Sequence, residues 1–283
     1  MKFADLASTL NGAALRLVKV SETPRADARK LLAHRIGRSP AWLLAHPEAS
    51  LTSLEQQAIA ADLDRLEAGE PLPYVLGEWE FYGADFWVTP ATLIPRPETE
   101  LLVEEALNWL RGRQPRPLGL DIGTGTGCIA VSLALNAPGL VMLASDISLP
   151  ALQVARRNVQ RYQLSTRVFC LQADLLPPLC QRVDLLCANL PYIPTHKLDG
   201  LRVARWEPRQ ALDGGATGLD LFERLLLQAQ RWVAPTGLLL FEIEATLGVQ
   251  AVSLSRQVFP QAEIRLLKDL AGLDRLVRIQ IPD

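Results

Sequence analysis

From about residue 117 onward, short apolar runs alternate with longer amphipathic stretches, and this alternation constrains the fold more than any other feature of the chain. "PLGLDIG", "LVMLASDI", "TRVFCLQAD", "RVDLLCAN" and "GLLLFEIE" read as strands, each a short run of branched and apolar residues bounded by turn formers. Helical spacing of apolar residues recurs between them, as in "LPALQVARRNVQRYQ" and "GLDLFERLLLQAQRWV". A helix between two strands returns the chain to the same end of the sheet, so the strands run parallel. The expected architecture is a doubly wound, mostly parallel α/β sheet over residues 96–283. Such sheets bind ligands beyond the carboxyl ends of their strands, where "DIGTGTG" and "ANLPYIP" both fall.

Ahead of this region, residues 1–72 read as a small all-helical domain. Thr23-Pro24 and Ser39-Pro40 each supply a cap and a first-turn proline, and Gly37 stops the helix that carries Ala28, Leu31, Leu32 and Ile36. Thr52-Ser53-Leu54-Glu55 has capping-box spacing before a helix expected to bury Leu54, Ile59, Leu63 and Leu66. Residues 73–95 change texture: the aromatic-rich "FYGADFW" reads as two short strands about a glycine turn, a β-hairpin linker. "PRPE" then opens a helix through Val103, Ala106, Leu107 and Leu110, with its acids in the first turn, where the helix dipole favours them.

Charge narrows the partners. Lys and Arg total 29 against 31 Asp and Glu, and residues 1–72 hold nine of each sign. No basic surface is therefore expected to neutralise phosphates, and direct binding to nucleic acid or membrane is disfavoured. Glycines, Asn136 and Pro138 break the uncharged segment from Ile122 to Ser145, and Asp5 interrupts any apolar export signal, so neither anchor nor signal is expected. Cys128, Cys170, Cys180 and Cys187 form no C-x-x-C pair and suit a reducing cytoplasm. His34, His46 and His196 lack ligand-spaced neighbours, so no metal site is expected.

Asp121-Ile122-Gly123-Thr124-Gly125-Thr126-Gly127 lies between a strand and a helix, where glycines let backbone approach a ligand and the helix N-terminus favours negative charge. Cys128 stands where a dinucleotide-binding loop would need its third glycine, which disfavours a pyrophosphate cofactor. Asp146 ends the next strand, placed either to accept from ribose hydroxyls or to cap the following helix. Asp174, followed by Leu175, either borders a base or is a loop carboxylate.

"DIGTGTG", "SDIS" and "ANLPYIP" together resemble class I S-adenosylmethionine-dependent methyltransferases with an N-P-P-Y type motif. "GEWEFYGADFWVTPATLIPRPETELLVE" and "WEPRQALDGGATGLD" resemble more narrowly the release-factor glutamine methyltransferases of the HemK type, and the likeness covers nearly the whole chain. That resemblance implies a Rossmann-like fold and S-adenosylmethionine as methyl donor, held by Gly123, Thr124, Gly125, Thr126, Gly127, Asp146, Asp174, Leu175 and Asn189. It implies a peptide chain release factor as the protein substrate of a cytoplasmic monomer. Catalysis would fall to Asn189, Leu190, Pro191 and Tyr192. The Asn189 side-chain oxygen and the Leu190 carbonyl would take the two N–H groups of the target glutamine of a Gly-Gly-Gln loop, and Tyr192 would stack on its amide.

Three residues depart from the family pattern: Leu190 replaces the first proline, Trp206 a frequent tyrosine and Thr217 an aspartate. Without proline's fixed φ the turn is expected to be less rigid, although Pro191 still biases Leu190 toward extended backbone. Arg96 and Glu98 either start a helix or line the substrate mouth. Glu207 and Arg209 are expected to be structural or to order a loop through a mutual ion pair. Rival readings are an amino methyltransferase for ribosomal-protein glutamine or nucleic-acid adenine, and a non-catalytic nucleotide-binding module.

Overall fold

The computed structural model describes residues 5–113 and 116–283; the parts of the expected helical and sheet domains at 1–4 and 114–115 lie outside them. Two compact units divide the chain, Met1–Glu78 and Trp79–Asp283.

In the first unit, α1 (Leu6–Leu17), α2 (Pro24–Ile36), α3 (Pro40–Ala45), α4 (Ser53–Glu67) and α5 (Leu72–Leu76) bury an aliphatic core including Leu17, Leu31, Leu32 and Ile59. The helix signals act as their chemistry dictates. Gly37 ends α2 in the left-handed region at φ 63°, which costs glycine little. At the start of α4, Thr52 Oγ1 accepts from Glu55 N at 3.2 Å while Glu55 Oε2 accepts from Thr52 N at 2.7 Å, a complete capping box. Asp62 is buried on α4 and takes the Arg35 guanidinium of α2, which stitches the two helices. Leu54 departs from expectation, being 79% exposed. Five residues before Ile59 is roughly 140° around a helix, so Leu54 falls off the stripe that Ile59, Leu63 and Leu66 share.

A hairpin of β1 (Glu78–Phe81) and β2 (Ala84–Trp87) lies at the start of the second unit, with the first residue of β1 still in the first unit. Its two turn residues, Tyr82 at φ 51° and Gly83 at φ 73°, are both left-handed, the geometry whose twist suits a two-residue hairpin. Phe81 and Phe86 are buried from it into the sheet domain.

After a 3₁₀ turn, Pro97–Thr99, α6 (Glu100–Leu110) leads to β3 (Leu118–Ile122), α7 (Cys128–Asn136), β4 (Val141–Asp146), α8 (Leu149–Arg161) and β5 (Val168–Gln172). The chain continues through β6 (Val183–Ala188), α9 (Asp220–Ala229), β7 (Val233–Glu242), α10 (Gly248–Val258), β8 (Glu263–Lys268) and β9 (Asp274–Gln280). The strands form one seven-stranded sheet in the order β5-β4-β3-β6-β7-β9-β8. Strands β3 to β7 pair in parallel, while β9 runs antiparallel to β7 and β8.

All five expected strands form, and β8 and β9 complete a sheet that the apolar runs alone did not disclose. Their sequences, "EIRLLK" and "DRLVRIQ", mix charged residues with apolar ones, the pattern of strands near a partly solvated edge. One face of the sheet is covered by the hairpin, α6 and α7, and the other by α9 and α10. No helix among the described residues is long and apolar enough to cross a membrane.

Thr52→Ala removes half of the capping box. Urea denaturation should show a loss of about 1 kcal/mol.

Candidate active site

Parallel register places the site. Ile122 pairs with Ser145 on β4 and with Ala188 on β6, and Ala188 pairs with Phe241 on β7. The next residues outward, Asp146, Gly123, Asn189 and Glu242, therefore stand in one row across four strand ends. Between β3 and β6 the strand order reverses, the point at which doubly wound sheets open a crevice. A cavity of about 600 Å³ lies there, bordered by Gly123 to Thr126, Asp146, Asp174, Leu175, Asn189, Leu190, Pro191, Arg96 and Thr99.

Gly123 and Thr124 both donate to the Ser145 carbonyl at 2.9 Å, which turns the chain sharply off β3. Gly123 has φ 72°, and a Cβ there would come within 3.3 Å of Leu190 Cδ2, so glycine suits both the conformation and the approach. Gly127, also left-handed, precedes α7 and meets Ala155 of α8; it sets helix packing and does not border the cavity. Asp146 accepts from Gly125 N and Ser148 N, each at 2.9 Å, so one carboxylate ties the glycine loop to the loop after β4. Burial raises its pKa. The helix-capping alternative for Asp146 falls to Ser148, whose hydroxyl accepts from Ala151 N.

Asp174 on the cavity rim pairs with Arg224 at 2.7 Å. Leu175 holds φ 64°, a strained value for a residue with a Cβ, and its carbonyl accepts from Ser145 Oγ at 2.9 Å. Beneath the glycine loop, Asp121 accepts from Thr124 Oγ1 at 2.5 Å and Ala130 N at 3.2 Å, and its Oδ1 has no hydrogen-bond partner among the described residues. Burial pushes the Asp121 carboxyl up to about 7.

Asn189 donates through Nδ2 to Thr99 Oγ1 at 3.1 Å. Leu190 is buried over Gly123, whereas Tyr192 is half-buried against the apolar core and does not border the cavity. Burial pushes its phenol up to about 12. The turn that carries these residues is held by main-chain bonds to a second loop. Ile193 N donates to Leu212 O at 3.0 Å, Gly214 N to Ile193 O at 2.8 Å, and Thr195 N to Gly215 O at 2.8 Å. A Cβ on Gly214 would sit 2.7 Å from Tyr192 Cα, so only glycine lets the backbones approach.

Glu207 does not pair with Arg209. Its buried carboxylate takes Ile94 N at 3.0 Å and the Arg96 guanidinium, because it points inward to the segment before α6. Arg209 borders the cavity and pairs with Asp199 at 2.8 Å. Arg96 thus borders the cavity while Glu98 is exposed. Thr217 bonds to Asp220 Oδ1 at 2.5 Å and accepts from Leu219 N at 3.1 Å, ordering the approach to α9 in place of an aspartate. Two residues escaped the sequence reading. Thr99 hides inside "LIPRPETE", and Glu242 closes a buried strand, where an acid is itself a signal. Burial pushes Glu242 up to about 7 as well. Among the described residues, no cluster of three His, Cys, Asp or Glu could hold a metal ion.

A sheet in this order, with a glycine loop and an acid at adjacent strand ends, defines a class I methyltransferase. A 16S rRNA N2 G1207 methyltransferase from T. thermophilus, in complex with AdoMet and guanosine, shares the fold at TM-score 0.54 and 17% identity, over 72% of this chain and 49% of its own. The PrmC N-terminal domain matches residues 8–77 and the Methyltransferase small domain residues 98–204. A release factor glutamine methyltransferase of Moorella thermoacetica is 43% identical over 90% of each chain, and one of Bordetella pertussis 42% identical over 89% of this chain and 93% of its own. The chain belongs to the release factor glutamine methyltransferase family, enzymes that use S-adenosylmethionine.

Gly214→Ala should displace the Tyr192 turn and lower activity roughly tenfold or more with little loss of global fold, read by methyl-transfer kinetics beside circular dichroism. A second expectation follows from the buried acids. Asp121 and Glu242 titrate higher folded than unfolded, so the folded state gains stability as pH falls from about 7 toward the unfolded values, and lacks that gain above 7. The lowered carboxyls of Asp5, Glu67, Asp213, Asp220 and Asp269 contribute equally throughout that range and lose that contribution only as pH falls below their unfolded values. Thermal unfolding should therefore occur a few degrees higher at pH 5.5 than at pH 8, a difference that Glu242→Gln reduces.

Proposed function

We propose that this chain transfers a methyl group from S-adenosylmethionine to the side-chain amide nitrogen of the glutamine in the Gly-Gly-Gln loop of a peptide chain release factor. The observation that carries this reading is Asn189, which borders the cavity beside the glycine loop with its amide nitrogen engaged by Thr99. Relatives named release factor glutamine methyltransferases support a release factor glutamine as the target. Release factors work where translation does, so the enzyme acts in the cytoplasm. The chain is taken to act as a monomer, since one copy carries every residue assigned to the reaction.

The cavity suits the methyl donor. Its volume, about 600 Å³, falls within the range of small-molecule sites, and it combines exposed loop backbone with the Asp146 carboxylate. Bound there, the donor supplies a methyl group on a positively charged sulfur. Gly123, Thr124, Gly125 and Thr126 would hold it from the loop, with Gly127 shaping that loop at the start of α7. Asp146 would accept from sugar hydroxyls. Asp174 and Leu175 would border the base.

A carboxamide nitrogen is a poor nucleophile because its lone pair is delocalised, so alignment must supply much of the catalysis. Asn189 Oδ1 and the Leu190 carbonyl each accept one N–H of the target amide, fixing the nitrogen and favouring its pyramidal form. Pro191 keeps the turn extended, and Tyr192, packed against the core behind that turn and off the cavity, would support the turn rather than stack on the amide as the resemblance implied. Orientation of this kind is worth up to roughly 7 to 11 kcal/mol in favourable cases. No base is assigned, since the nitrogen becomes more acidic once alkylated.

Asn189→Ala should lower methyl transfer to purified release factor by roughly 100-fold or more, while calorimetry shows cofactor affinity within about threefold. Equal loss of both would remove Asn189 from the substrate side. Offering release factor, ribosomal protein and duplex DNA side by side tests the substrate, and transfer to DNA alone would overturn the assignment.

A further inference from the structure

Glu242 ends β7 as the lateral neighbour of Asn189, since Ala188 and Phe241 pair one residue earlier. Its side chain is 4% exposed, and among the described residues its Oε2 has no hydrogen-bond partner. It does not border the cavity, so whatever it does for substrate it does through its neighbours. The Thr99 hydroxyl and the Asn189 carboxamide both lie against its carboxylate and favour its charged form.

A carboxylate can only accept. Facing it, Thr99 can offer only its single hydroxyl proton, which leaves Thr99 Oγ1 free to accept. Asn189 meets that oxygen with Nδ2 at 3.1 Å. The carboxamide's nitrogen end is therefore drawn inward, and Oδ1 is left for the cavity. A carboxamide turned end for end has nearly the same shape but opposite polarity. Turned that way, Asn189 would aim N–H groups at the N–H groups of an incoming amide.

We propose that Glu242 is a positioning residue: acting through Thr99, it fixes the direction of the hydrogen-bond chain so that Asn189 presents its oxygen to the substrate amide. This rests on the reading of Asn189 given under Proposed function. Protonation would give Glu242 a donor and erase the directionality. Burial, foremost, holds its pKa at about 7; Arg275 on β9 favours the charged form and Glu98 opposes it, with Tyr192 and Cys128 also within its field. Activity should then fall on the acid side of neutrality.

The test compares wild-type protein with Glu242→Gln, Thr99→Val and Thr99→Ser in methyl transfer to release factor across pH 5.5 to 8.5. Glu242→Gln should lower kcat about 10- to 100-fold, with KM and cofactor affinity changed less than about threefold, and should abolish the acid limb. Thr99→Val should match it, Thr99→Ser should stay near wild type, and the Glu242→Gln/Thr99→Val double variant should be no worse than either single one. A Glu242→Gln enzyme with wild-type kcat and an intact acid limb would overturn the proposal, as would Thr99→Ser failing as badly as Thr99→Val. If Glu242→Gln does not fold, the Thr99 pair decides. The Asn189 carboxamide protons, followed by NMR without substrate, should be protected from exchange in wild type and lose protection in Thr99→Val; unchanged protection would refute the relay. Because that signal needs no methyl acceptor, failure of wild-type protein to methylate release factor would count against the substrate assignment alone.

Discussion

The site depends on strand ends finishing on a common line. Parallel register between β3, β4, β6 and β7 brings Asp146, Gly123, Asn189 and Glu242 together although more than a hundred residues separate the extremes in sequence. Each strand is set by its own buried apolar run, so the row inherits the rigidity of the core rather than of any loop. What lies beyond the row is less regular, and it is tied down by specific polar atoms. Asp146 joins two loops, and Glu207 draws in the segment that carries Arg96.

Those ties place charge where water is scarce. Among the described residues, Asp121 and Glu242 each keep one oxygen without a hydrogen-bond partner in the interior, an arrangement that destabilises the ionised form. A core built for stability alone would place apolar side chains there. The acids instead face the segments that close the cavity: Asp121 accepts from Thr124 in the glycine loop, and Glu242 lies against Thr99 and Asn189. Preorganised polar groups in a low dielectric gain strength for the same reason that they cost stability.

Much of this was legible in the chain itself. Apolar runs gave the parallel strands, the capping box gave the start of α4, and glycine spacing gave the loop after β3. Local rules suffice where the relevant contacts are local or repeat with a fixed period. They fail where a residue's partner is remote. Nothing near Glu207 names Ile94 and Arg96 as its partners, and only the pairing of β6 with β7 makes Glu242 a neighbour of Asn189. The outer strands β8 and β9 were missed because their charged residues dilute the apolar signal. Leu54 shows the opposite error, since apolar character marked it for burial while its angular position on α4 put it in solvent.

The loop at residues 212–215 grips the Asn189 turn through backbone amides and carbonyls, atoms that every residue type carries. Restraint that a proline ring would impose from within is thus imposed from outside, by a splint that does not depend on which side chain occupies position 190. A leucine can stand there, and Gly214, together with Gly218, where a Cβ would press on the Tyr192 carbonyl, becomes the less replaceable partner, because the splint holds only while the glycines let it lie flush.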